Sequence, residues 1–158
     1  MSRRIALPLS AAALAAAFGV GVTTAGGQSG STERALFAAL RGANEIGEDG
    51  QRGAGDPNGF GSASATVDGG RLCFGITVKN IDDPAAAHIH RGVRNANGPV
   101  VIELAAPSAG DPGAVAGCVS ARTSLTRQIR RNPSRFYFNV HTQRYPAGAV
   151  RGQVRLAR

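Results

Sequence analysis

The residues of this chain best equipped for chemistry are its three histidines: His88 and His90, separated only by Ile89, and His141. In an extended strand, positions i and i+2 project from one face, about 6–7 Å apart, so His88 and His90 point together and Ile89 points the other way. His141 belongs to Arg-Phe-Tyr-Phe-Asn-Val-His-Thr, residues 135–142. There Phe136, Phe138 and Val140 alternate with Tyr137, Asn139 and His141, which predicts an apolar inner face and a polar outer one. If the two strands are neighbours, all three imidazoles meet. Three imidazoles can hold zinc or copper with nitrogens about 2.0–2.1 Å from the ion and leave a fourth position for water. The competing reading is structural: the rings hydrogen-bond to backbone and to Asn139, Tyr137 or Thr142, or they contact a partner. On residue types alone the structural or partner-contact role ranks ahead of the metal. The general base that a hydrolytic site wants is missing from the motif itself.

Positioning these histidines is the task of a β-rich chain. Residues 62–68 and 71–80 flank Gly69-Gly70 as a hairpin, and in the second strand Leu72, Phe74, Ile76 and Val78 alternate with Cys73, Gly75, Thr77 and Lys79. Asp82-Asp83-Pro84 ends it. Extended pieces over residues 86–90 and 99–104 surround the Asn97-Gly98 turn, and residues 149–156 form a closing strand. Residues 34–41 fit a short helix or a first strand equally well, and Gly42 ends either. Residues 105–117 are expected to be loop, with a short strand at Cys118–Ser120. Leu125 and Ile129, four apart, predict a short helix over 124–131 that turns Arg127, Arg130 and Arg131 to water and stops at Asn132-Pro133. Residues 42–61 carry Glu48-Asp49-Gly50 and Asp56-Pro57-Asn58-Gly59. These are turns and not a calcium loop, for which regular ligand positions and a closing glutamate are missing.

The chain has 158 residues, 42% of them hydrophobic, with 22 glycines, 8 prolines and no tryptophan, which suits one β-rich domain. Arg3-Arg4, the uncharged Ala-rich run to Val22 and Thr23-Thr24-Ala25 follow the pattern of an export signal, with cleavage after Ala25 and a Gly/Ser linker over 26–33. The mature chain is then expected outside the cytosol, secreted or at the cell envelope, without a transmembrane segment. In that compartment Cys73 and Cys118 are expected to pair, closing a loop of roughly 45 residues. Two of the +8 formal charges lie on Arg3 and Arg4, which leaves +6, nearly all arginine, with Lys79 the one lysine. A basic surface favours anionic extracellular partners, and nucleic acid is the least expected of them.

Several ordered motifs carry a family resemblance. Ala87-His-Ile-His-Arg-Gly92, Asn97-Gly-Pro-Val-Val101, Asn132-Pro133, Tyr137-Phe-Asn-Val-His-Thr142, Tyr145-Pro-Ala-Gly148 and Arg151-Gly-Gln-Val154 together resemble the CHRD domain, named after chordin. Leu40-Arg-Gly-Ala-Asn-Glu45 and Gly59-Phe-Gly61 resemble its opening motifs, and Cys73 and Cys118 stand where bacterial members commonly carry cysteines. The resemblance covers residues 34–158. Ile46-Gly47-Glu48 departs from the Val-Pro-Pro that many members have there. The resemblance implies a secreted β-sandwich-like domain and no established reaction; together with the residue reading, the expected fold is an all-β, antiparallel β-sandwich of immunoglobulin-like or superoxide-dismutase-like type with one short helix. The His-x-His strand is also similar to that of copper/zinc superoxide dismutase, but that two-metal site uses more histidines than the three here.

Arg91, Arg94, Arg144 and Arg151 fall in the turns and strands around the histidines. With Asn139 they are expected to form a guanidinium-rich binding rim for an anionic ligand. For Arg151 the preferred alternative is a buried pairing with Glu45 or Glu103. The expectation from sequence is therefore an extracellular binding module without established catalysis. A three-histidine zinc or copper protein and a purely structural envelope domain are the alternatives.

Overall fold

Alternation of small and branched apolar residues makes nearly every ordered segment a strand. The computed structural model describes residues 35–157; the expected export signal and linker lie outside the described residues. The strands are β1 (Leu36–Arg41), β2 (Phe60–Asp68), β3 (Arg71–Lys79), β4 (Pro84–Arg91), β5 (Val100–Leu104), β6 (Gly113–Ser120), β7 (Phe136–Thr142), β8 (Val150–Gln153) and β9 (Arg155–Leu156). One helix, α1 (Thr123–Arg131), precedes β7. None of the helices among the described residues is long and apolar enough to cross a membrane.

Every strand pairing is antiparallel, in the order β5-β4-β7-β8-β1-β2-β3-β6, with β9 alongside β1. The join between the two halves is narrow: β1 meets β8 at the single pair Arg41↔Arg151. Two four-stranded halves thus fold over one shared core, the sandwich arrangement expected from the sequence. Leu72, Ile76 and Val78 from one half and Ile89, Phe138 and Val140 from the other belong to that one apolar cluster. Each such side chain contributes about 1.5–3 kcal/mol on burial. Leu125 and Ile129 of α1 join it, as their four-residue spacing requires.

Residues 36–41 are strand, since Leu36, Ala38 and Leu40 alternate inward against β2 and are almost fully buried. The loop expected over 105–117 is shorter than predicted. β6 begins at Gly113 and pairs with β3 along its length, placing Cys118 directly opposite Cys73, where the disulfide forms. Small residues (Gly113, Ala114, Ala116, Gly117) hide this strand from a reading based on hydrophobic alternation. The closing strand is also broken in two, at Val154. Turn acids behave as turn acids: the Asp56 carboxylate accepts from the Asn58 amide at 3.0 Å, and Asp49 from Gln51 at 3.2 Å.

Candidate metal centre

The largest departure from the sequence reading is on β7. Its second face, expected to be open to water, is covered: Tyr137 and Asn139 are each 2% exposed. What covers it are the connections before β2, between β4 and β5, and after β7. Asn97 Nδ2 donates to the Ile46 carbonyl at 2.9 Å, and Asn44 Nδ2 donates to the Arg151 carbonyl at 3.0 Å. Asn139 Nδ2 donates to Glu45 Oε1 at 2.8 Å. The protein therefore has two interiors, one apolar and one polar, on opposite sides of the same strands.

Strand register assembles the polar side. β4 lies between β5 and β7, with His88 opposite Glu103 on one side and Asn139 on the other. His90 faces Tyr137, and Ala86 faces His141, so His141 reaches His88 along a diagonal. A bulge shifts the β4–β5 register between Ile89 and His90, a device that re-aims side chains next to a site. Ile89 itself is fully buried in the apolar core, as predicted.

All three histidines converge. One nitrogen from each of His88, His90 and His141 lies within 4.8 Å of the others. His88 Nδ1 and His141 Nε2 are 3.0 Å apart. The outward nitrogen of each ring is engaged by an oxygen: His88 Nε2 by Glu103 Oε2 at 2.8 Å, His90 Nδ1 by the Gly98 carbonyl at 2.9 Å, and His141 Nδ1 by the Pro146 carbonyl at 2.9 Å. A ring nitrogen that donates to a carbonyl leaves its partner nitrogen as a bare lone pair. For His90 that lone pair, on Nε2, is buried and meets no donor. Glu103 supplies the acid absent from the local motif, brought in by strand pairing rather than by sequence proximity.

Burial pushes the His90 pKa below the ordinary histidine value, against the opposing hydrogen bond to Gly98, and the neighbouring His88, His141 and Arg151 charges push the same way. Burial likewise lowers His141, with the Pro146 carbonyl opposing it. A lowered value favours the neutral form, which is the one that ligates metal.

Arg151 departs from its expected acid pairing. It is 2% exposed and donates to Asn97 Oδ1 at 3.0 Å and to the Val93 and Ala96 carbonyls at 3.2 and 2.7 Å. Its Cζ lies 3.4 Å from the Tyr137 ring centroid, and Tyr137 stacks in turn on His90 at 4.7 Å. Arg151 thus fixes the 93–97 turn, whose next residue, Gly98, orients His90. Glu45 is 3% exposed, and burial raises its pKa to about 8 despite the pull of Arg151. Gly148, at φ 147°, borders this pair, and a Cβ there would lie 2.5 Å from both Asn139 Nδ2 and Glu45 Oε1. Arg91, Arg94 and Arg144 are exposed. Arg91 bonds to Gln128 and lies over Phe136, while Arg144 lies over Tyr145. Of the five residues expected to form the binding rim, Asn139 and Arg151 are buried and Arg91, Arg94 and Arg144 are exposed.

Residues 36–154 match the family model described as the CHRD domain. Neither a curated protein nor a solved structure matches the chain.

Proposed function

Because the chain belongs to the CHRD domain family, we propose that it is an exported binding domain that uses this scaffold to hold one zinc or copper ion on His88, His90 and His141. Fold membership alone carries no function, so the reading rests on the site. The observation that carries it is the division of labour within each ring. One nitrogen of every histidine faces the other two rings, within 4.8 Å of theirs, while the other is held by a carboxylate or a backbone carbonyl. Metal-ligating histidines are oriented in this way, which fixes the tautomer and strengthens the donor. A purely structural role gives no reason for the sealed, unpartnered lone pair on His90 Nε2, because an unsatisfied buried polar atom costs about 1–3 kcal/mol.

Three neutral imidazoles without a thiolate suit zinc or copper, whereas calcium and magnesium demand oxygen donors. An ion held this way retains a position for water or an outside ligand. The covalent Cys73–Cys118 pair supports the export half of the reading, since structural disulfides persist in oxidising compartments. The test is metal analysis of untagged protein after equilibration with zinc or copper and exhaustive dialysis. About one equivalent is expected for the wild type and none for a folded His90→Ala variant. No retained metal, or equal retention by the variant, contradicts the reading.

A further inference from the structure

A cleft of about 300 Å³ opens beside Arg151. Its lining residues include Arg94, Arg151 and Arg155 together with Asn44, Asn95 and Ser134, and neither aspartate nor glutamate is among them. Three arginines around one cleft give it a positive potential that favours an anion. Among the described residues none of the three has an ion-pair partner, the single such contact being His88–Glu103. Arg151 presents the sharpest case. It is buried, three of its donor contacts go to neutral oxygens, and the acid that acts on it, Glu45, keeps its proton below about 8. Buried charges are ordinarily paired with an opposite charge, and among the described residues Arg151 forms no such ion pair. Arg155 lies with Cζ 5.1 Å over the Phe37 ring, a stacking that steadies a guanidinium and leaves its edge N–H groups available.

We propose that this cleft is a binding site for a small molecule bearing a carboxylate, sulfate or phosphate group, gripped by Arg94, Arg151 and Arg155. Forked N–H pairs of guanidinium match the paired oxygens of such groups. The volume sits at the lower end of small-molecule pockets, which fits a simple organic acid or a single sulfated or phosphorylated unit and not a long polymer. The site is separate from the three histidines and does not depend on their binding a metal.

Arg94 and Arg155 are exposed, so Arg94→Gln and Arg155→Gln test the cleft without opening the buried Arg151 network. Titration calorimetry and thermal shift are run with inorganic sulfate, inorganic phosphate and acetate, with ionic strength held constant by chloride. Saturable binding of at least one of the three is expected, weakened about tenfold or more in the double variant, with the circular dichroism spectrum unchanged. A preference for the tetrahedral anions over acetate, or the reverse, identifies the ligand's acidic group. A response no greater than that to chloride, or undiminished binding by the double variant, overturns the proposal.

Discussion

His88 and His141, 53 residues apart in the chain, meet nitrogen to nitrogen at 3.0 Å although strand register sets neither opposite the other. A metal ion between the two rings takes inner lone pairs for which protons compete. Zinc affinity is therefore expected to weaken as pH falls from about 7.5 to about 5.5, measurable by titration calorimetry at each pH; an affinity independent of pH would argue against imidazole ligands.

Glu103 is 77% exposed and touches the site only through His88 Nε2. Glu103→Gln is expected to leave thermal stability nearly unchanged while weakening metal affinity about 10–100-fold, the usual cost of losing such an outer partner. Competition against a chelator of known affinity measures it. Equal affinities would mean that Glu103 orients nothing.

The two lowered histidines make stability depend on pH in a fixed direction. Their folded pKa values lie below the unfolded value of about 6.5. The unfolded chain therefore binds more protons, and the stability they contribute is present above about 6.5 and lost as pH falls toward the folded values. In metal-free protein, melting temperature is expected to drop between about pH 6.5 and 5. In a His141→Gln variant the slope should be shallower.

Glu45 acts with the opposite sign. Its folded pKa of about 8 lies above the ordinary 4.5, so between those values the unfolded chain sheds a proton that the folded chain keeps. Stability is lost as pH rises through that window. Glu45→Gln removes the effect and keeps an oxygen to accept from Asn139. Its melting temperature should exceed that of the wild type at pH 8–9, with the gap closing toward pH 4.5. A variant less stable at pH 9 would show that the carboxylate is paired after all.

Cys73 and Cys118 clamp β3 to the edge strand β6. The double Cys→Ala variant is expected to lose about 3–4 kcal/mol in denaturant unfolding, the chain-entropy value for a loop of this length. Because β6 is an edge, its amide protons should exchange faster in the variant while those of β7 stay protected.

The apolar interior was legible because period-two alternation writes it directly: Leu72 through Val78 and Phe136 through Val140 read off the sequence as core. The convergence of the histidines was legible to the extent that His88 and His90 share a face and His141 follows the same alternation. Two things were hidden. Burial of Tyr137 and Asn139 depends on loops that cover them, and Glu45, Asn97 and Gly148 reach that face from distant parts of the chain with no periodic signal. The hydrogen-bond acceptors behind His90 and His141 are the carbonyls of Gly98 and Pro146, and backbone oxygens leave no mark in a sequence. β6 was partly missed for a third reason, since glycine and alanine give alternation too little contrast.

X-ray absorption on the zinc- or copper-loaded, untagged wild-type protein tests the metal centre most directly. Three imidazole nitrogens about 2.0–2.1 Å from the metal are expected, with one oxygen ligand completing the shell. A shell of oxygens without imidazole scattering, from protein that carries the metal, would contradict the account.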